Sequence, residues 1–478
     1  MTTQRLQFTD WLPDQPANAG SLNDAKNVFP VGIGYGAFPS AEDFSNAASE
    51  DINNIFVAKF GANVEVFAGG ATKLFKLNIA TLALADVSKS GGYGGNGSWR
   101  FEQFGNVVLA CNDNNKIQAW TIGVSTAFAD VASAAPVTKD IAVVRDFVFA
   151  GNINIGSNPD KVQWSDINDE TDWVSGATSQ SDYQIIADGG NVQAITGGEF
   201  GVIFLEKSVV RASYVGSPLF FQFDTISSGL GCLEGNSVAR YGNISFFLSD
   251  DGWYSTDGQT VTNIGLEKID RWFFGRVDLT KLNTMSAAVD PVKNLVVWNY
   301  ADVDGNRRIL IYNWQLGKWS RAETTSDVVG TIATLGETLE TLGSSLGYTD
   351  IDTMPASLDS RLFIGGKFLF AGAKLGKIVA FTGESITPQL ITTDVEVGYN
   401  SVATLARPQI DNGTAQVAVA SRRELDDNIE FSAFVPATTE GRCSLRSAGR
   451  YHRFNVQPTG SWTTAMAVDV DLKPQGNR

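Results

Sequence analysis

Histidine is almost missing: among 478 residues there is one, His452, flanked by Arg450, Tyr451 and Arg453. A catalytic triad or a histidine metal site would have to run through that single ring, so a structural role is expected for it. Cysteine is scarce, and Cys111, Cys232 and Cys443 are odd in number and far apart. That spacing implies neither a disulfide framework nor a zinc site, and it predicts maturation in a reducing cytoplasm. Charge is sparse and one-sided, with 36 Lys and Arg against 52 Asp and Glu and a formal net charge of −16. No basic stripe is present to grip phosphates, so DNA near this protein is expected to slide rather than stick. Nowhere do 18 uncharged apolar residues run together, and the opening Met1-Thr2-Thr3-Gln4-Arg5 lacks the basic stretch and apolar core of a signal peptide. Neither secretion by the usual route nor membrane insertion is expected.

What is there points to a folded, mostly β chain. Hydrophobic residues make up 43% and aromatics 11%, enough apolar surface to exclude disorder. Abundant turn formers, including 48 glycines, and the lack of long Glu/Lys/Leu/Ala runs favour short strands over helices. The length exceeds what one core supports, which leaves two or three packed units or one large repeat architecture.

A repeat is visible. An apolar strand recurs seven times, at 64–68, 107–110, 147–150, 202–205, 244–248, 295–298 and 368–371, each followed by a turn and a second strand. The second strands begin at Lys73, Lys116, Lys161, Ser208, Gly252, Arg307 and Lys377. The step is close to the roughly 40–50 residues of a four-stranded propeller blade. We therefore expect a β-propeller of about six to seven blades over 46–385, with two stacked β-sandwiches as the alternative. Strands apolar at nearly every position fit blades covered on both faces, and only outer strands should alternate. Residues 322–360 read as an insertion, with room for a short helix or an extended arm. Residues 386–478 carry new alternating strands and read as a separate small β-domain. Residues 1–45, with Pro13, Pro16, Pro30 and Pro39, read as an extended arm with no regular element of its own, lying on a surface.

Motifs that could carry chemistry reduce to turns. Gly343-Ser344-Ser345-Leu346-Gly347 has the nucleophile-elbow pattern but lies in the insertion rather than between a strand and a helix. Gly92, Gly94 and Gly97 lead into a strand, so no helix N-terminus is available for a pyrophosphate. Asp302, Asp304, Gly305 and Asn306 open like a calcium loop but lack the distal glutamate, and a hairpin turn is expected. Ser249-Asp250-Asp251-Gly252-Trp253 resembles the structural acidic boxes of sialidase-type propellers. Trp298, Trp314 and Trp319 could line a sugar groove but more often such residues are core. No catalytic, cofactor or metal residue is assigned, and no cofactor is expected.

Two patches carry a family resemblance. Phe8-Thr9-Asp10-Trp11-Leu12-Pro13-Asp14-Gln15-Pro16, then Ala25-Lys26-Asn27-Val28-Phe29-Pro30 and Gly34-Tyr35-Gly36-Ala37-Phe38-Pro39, look like the opening of a family of phage tail proteins. The run from Ile351 to Arg361, Gly365-Gly366, and Leu375-Gly376-Lys377-Ile378-Val379-Ala380-Phe381-Thr382-Gly383 resembles the last-blade region of the same family. The family is that of tail nozzles, similar to the packaged-DNA stabilisation proteins of short-tailed bacteriophages. It implies a non-enzymatic virion protein, made in the host cytoplasm, that assembles as a homo-hexameric ring below the portal and adaptor. Such a ring retains packaged DNA and later conducts it out without specific binding, with a fibre, spike or needle as a further neighbour. On that resemblance Trp11, Pro13, Asp14, Pro16 and Tyr35 are candidate contacts to a neighbouring subunit. Two other readings stay open: a tail protein that binds or cleaves host-surface carbohydrate, and a cellular propeller scaffold.

Overall fold

The computed structural model describes all residues except 1, 18, 62, 96–98, 155–156, 334–367 and 476–478. The expected β-propeller is present. Six blades are separate four-stranded antiparallel sheets, and a seventh four-stranded meander, 286–323, completes the ring while being fused to a larger sheet. In chain order we number them blade 1 (52–86), blade 2 (100–130), blade 3 (138–185), blade 4 (192–228), blade 5 (239–263), the fused blade 6 (286–323) and blade 7 (328–385). The first strands of neighbouring blades touch around the axis, directly or, between blades 4 and 5, through the short 3₁₀ turn Gly235–Ser237.

Each pair of strands read from the sequence repeat is the middle hairpin of one blade. The first strand of each such pair, the second of its blade, is buried at every position in Val107–Asn112, Phe147–Ile153, Gly201–Leu205 and Leu295–Ala301. The outer strands Ala83–Asp86 and Asp182–Ile185 are largely exposed. A blade cannot cover its own two faces, so its central strands must be apolar throughout and its neighbours supply the cover.

Indole N–H groups join the blades where apolar packing alone would leave donors unsatisfied. Trp99 donates from blade 2 to the Gly70 carbonyl of blade 1 at 2.9 Å. Trp298 of blade 6 donates to the Ser237 carbonyl at 2.8 Å, next to blade 5. Trp120 of blade 2 donates to the buried Glu65 carboxylate of blade 1 at 2.6 Å, which also receives the Lys76 ammonium at 2.7 Å. Blades 3 and 4 approach so closely that a Cβ at Gly197 would lie 1.9 Å from the Val143 carbonyl oxygen, so only glycine fits.

Three boundaries read from the sequence shift. Residues 1–45 do form strands, because they borrow partners rather than pairing only with themselves. Thr2–Gln7 pairs with Thr464–Pro474, Asp24–Lys26 lies between Lys318–Glu323 and Gln389–Ile391, and Val28–Pro30 and Tyr35–Ala37 make a small hairpin. Pro39–Asp43, placed outside the propeller, is the outer strand of blade 7. Its proline stands first on an edge, where a missing N–H breaks no ladder bond. The insertion expected at 322–360 starts inside regular structure, since 322–323 end the last strand of blade 6 and Val328–Ala333 is the first strand of blade 7; residues 334–360 lie outside the described residues.

The C-terminal strands are not detached from the propeller. Gln389–Ile391, Val395–Asp411, Thr414–Arg422, Cys443–Thr459 and Thr464–Pro474 form one sheet that runs through Asp24–Lys26 into blade 6. One apolar core holds Trp253 and Trp298 of blades 5 and 6 together with Val417, Phe454 and Val468. The sequence reading missed this because a shared core leaves no boundary signal in composition.

Trp298 is fully buried, 4.2 Å from Trp253 and 5.8 Å from Trp319 between ring centroids. Trp298→Ala is expected to cost about 3–5 kcal/mol in urea-unfolding measurements, the range for emptying a large aromatic site.

Candidate functional site: the axial funnel and the N-terminal strap

Polar chemistry gathers at the mouth of the propeller axis and along the N-terminal segment that binds the molecule together. The mouth is a cavity of about 590 Å³, walled by the starts of the inner strands and adjoining turns of blades 1, 2, 3, 6 and 7 and by the turn before blade 5. Asp51, Asp113, Glu234 and Asp327 meet Arg100, Lys139 and Arg307 around this funnel. None of these three cations is closely paired with a carboxylate of the funnel. Arg307 donates to the backbone and hydroxyl oxygens of Thr284, both at 3.0 Å. Lys139 donates to the Gln193 amide oxygen at 2.7 Å, and Arg100 stands 3.8 Å from Asp140. Burial pushes the Asp113 carboxyl up from its ordinary value, against the pull of Lys139 and Arg100.

Deeper along the axis, Asp140 is buried and accepts the Ile195 N–H of blade 4 at 2.7 Å and its neighbour Ile141 N–H at 3.0 Å. Desolvation still raises its pKa. Glu102, on the inner strand of blade 2, is pushed by burial to about 7; Arg240 of blade 5 draws it down, and Asp140 drives it up. The axis is thus a stack of partly neutralised charges held by backbone N–H groups. No group of three or more Asp, Glu, His or Cys close enough to hold a metal ion occurs among the described residues. The sequence reading did not find the funnel. The available signal was a charged residue at the entrance of blades 1, 2, 3 and 7 and at the third strand of blade 6, but residues 51, 100, 139, 327 and 307 are joined only by ring geometry.

The strap holds the five residues singled out from the sequence, and three of them, Trp11, Asp14 and Tyr35, are engaged within this chain. Trp11 and Tyr35 are buried within this chain, each 1% exposed, so their surface is not free for a neighbour. Trp11 packs edge-on against Trp272 at 4.9 Å, and the Tyr35 hydroxyl donates to the Thr9 carbonyl at 2.9 Å. Asp14 is occupied as well: its carboxylate accepts the Arg271 and Trp272 N–H groups at 2.9 and 2.7 Å, capping the short helix Asp270–Phe274, whose own N-cap residue Ile269 offers no side-chain bond. Pro13 is half-buried and Pro16 is exposed. Beyond them Asp24 forms a bidentate pair with Arg321 at 2.8 and 2.7 Å, and Lys26 pairs with Glu323 at 2.8 Å. The geometry explains the pattern of the opening: its aromatic and acidic residues anchor the strap to blade 6 and the C-terminal sheet.

The remaining motifs resolve into structure. His452 is fully buried in the C-terminal sheet between the Ser401 hydroxyl at Nε2, 2.8 Å, and the Ser421 hydroxyl at Nδ1, 2.7 Å. Burial lowers its pKa. Asp302 accepts the Asp304 and Asn306 N–H groups and the Arg308 guanidinium, making the hairpin turn that was expected. The Ser249 N–H donates to the Gly252 carbonyl at 2.8 Å in a tight turn. Trp298 and Trp319 are core, while Trp314 is half-buried against Tyr241 at 4.8 Å. All three cysteines are buried and free. Gly97 and 343–347 lie outside the described residues.

No family model matches the sequence, and no curated protein matches it. Among solved structures, the chain is similar to the computationally designed protein Ika8, at 13% identity over 72% of this chain and 99% of that one, with a TM-score of 0.38. It is similar to the WD40 domain of Pan2 from Neurospora crassa, at 7% identity over 72% and 90% of the two chains, TM-score 0.37. A third likeness is to the WD40 domain of coronin from Toxoplasma gondii, at 8% identity over 72% and 87%, TM-score 0.37. The propeller is established here by strand pairing, not by these likenesses.

Two outcomes follow from the geometry. Glu102 has a folded-state pKa near 7 and an unfolded value near 4.3, so the stability it contributes is fully present below about pH 4 and lost as pH rises through 7. Glu102→Gln should remove that loss, making the variant gain roughly 1–2 kcal/mol on wild type between pH 5 and 8 in chemical denaturation; water reaching the half-buried group keeps the gain below the full shift. Asp14→Ala should cost about 1 kcal/mol, the usual loss for a helix N-terminal cap, read by the same measurement.

Proposed function

We propose that this chain is a structural subunit of a bacteriophage tail nozzle, a non-enzymatic virion protein that acts through shape and symmetric self-association. One observation carries the reading. The two sequence patches that resemble nozzle proteins, more than 300 residues apart, meet at blade 7: Phe38, near the end of the first, packs against Phe381 of the second at 5.6 Å between ring centroids. The strand Pro39–Asp43, which continues from the first patch, pairs with Lys377–Ser385, which holds most of the second patch's last run. The first patch thus leads into the strand that closes the ring and the second supplies part of that strand's partner, as befits a protein whose task is mechanical.

Charge and chemistry support the same reading. A net charge of −16 suits a tube wall past which packaged DNA must move without being held. In this proposal DNA passes along the axis of a homo-hexamer, and the adaptor above and a fibre, spike or needle below are its neighbours. Pro13 and Pro16 remain at the strap's surface as contacts for a neighbouring subunit. His452 lies buried with both ring nitrogens occupied by serine hydroxyls, and no carboxylate among the described residues bonds to its ring, which supports a non-catalytic role.

Native mass spectrometry and negative-stain imaging of the purified chain, alone and with its adaptor, test the proposal. The expected outcome is a six-fold ring with an open axial channel, even if it forms only on the adaptor. A persistent monomer or trimer under both conditions overturns it.

A further inference from the structure

The axial funnel has no task in the nozzle reading, yet it is a polar cavity walled by several blades. At about 590 Å³ it lies within the range of small-molecule sites. Its lining narrows the class of ligand. Four carboxylates and three cations alternate around it, so a polyanion or polycation would meet as much repulsion as attraction. The carboxylates are too dispersed to hold a metal ion, since no group of three lies together among the described residues. A peptide needs an apolar anchor in a desolvated pocket. Here Ile52, Trp99, Met285 and Val329 are spent in the walls, at 2–4% exposure, and Leu375 alone stands free at the rim.

What the wall does offer is a ring of half-exposed donors and acceptors. Arg100, Lys139 and Arg307 can donate into the funnel, and Asp113 and Asp327 can accept. Asp113 is half-exposed while its Oδ1 is buried without a hydrogen-bond partner, so the acceptor it offers the funnel is the part of its side chain that remains at the surface. A neutral ligand rich in hydroxyls matches such a wall, because each hydroxyl both donates and accepts and none adds net charge.

We propose that the axial funnel binds a neutral saccharide, with Asp113 and Asp51 accepting from its hydroxyls and Arg100 and Arg307 donating to them. This goes beyond the nozzle reading and does not depend on it. The site lies on the propeller axis of each subunit, whereas assembly is assigned to the strap.

The test is a glycan array carrying neutral and acidic oligosaccharides, probed with the full chain, followed by calorimetry with the best-retained neutral glycan. Asp113→Asn and Asp51→Asn each remove one acceptor charge with almost no change of shape, and Asp51 is exposed, so its variant keeps the fold. Glu199→Gln, at an exposed position away from the funnel, serves as the control. Retention of neutral glycans, with affinity falling about tenfold in both funnel variants and unchanged in the control, is the expected result. Retention of no neutral glycan, equal binding by the funnel variants, or preference for acidic glycans overturns the proposal. Ring formation scored on the same preparation keeps the two readings apart, since loss of glycan binding leaves the oligomeric state unchanged.

Discussion

The backbone pairing of Pro39–Asp43 with Lys377–Ser385 is the constraint on which the rest of the structure depends. A propeller blade is apolar on both faces and is stable only between neighbours, so an open array would expose two blade faces to water. By supplying the fourth strand of blade 7 from the start of the chain, the protein locks blade 7 beside blade 1 and ties its beginning to the end of the propeller. The entropic cost of closing so long a loop grows only with the logarithm of its length, so a few ladder bonds and the buried apolar surface around Phe38, Phe370 and Phe381 can offset it.

The same segment that closes the ring also fixes the C-terminal sheet. Asp24–Lys26 is a shared strand, parallel to blade 6 on one side and antiparallel to Gln389–Ile391 on the other. Its two ion pairs are partly buried and geometrically well matched, Asp24 with Arg321 and Lys26 with Glu323. Such pairs contribute less through net energy than by specifying one register, because a slipped strand would bury a charge without its partner. Between blades, two interior carboxylates are met by an indole and by backbone donors. Glu65 and Asp140 are buried carboxylates that each bridge two blades, and the blades are thereby fixed in rotation as well as in packing.

The strap and the funnel divide the molecule's work. The strap spends its aromatic and acidic side chains inside the chain, so the parts of the opening left for a neighbour are its exposed edges near Pro16 rather than Trp11 or Tyr35. The funnel keeps its charged side chains half-exposed and incompletely paired. Side chains held that way can bond a ligand without first breaking an ion pair, which is why the funnel and not the strap is the place to look for a small ligand.

The sequence by itself determined the strand content and the blade repeat. Apolar runs such as 107–110 and 147–150 recur because the middle of every blade is covered on both faces, and that requirement is local enough to be written in each repeat. It also determined the hairpin at Asp302, whose turn is made by its own neighbours; for Trp298, Trp314 and Trp319 it only favoured the core, which holds for Trp298 and Trp319 while Trp314 is half-buried. The tertiary structure alone decided where Pro39–Asp43 pairs, that Asp14 caps a helix at Asp270, and that Asp51, Arg100, Lys139, Arg307 and Asp327 face one cavity. The physical reason is the same in each case. Periodicity records what a residue needs from its immediate neighbours, whereas ring closure and the charge pattern at the axis depend on partners brought together only when all the blades are in place.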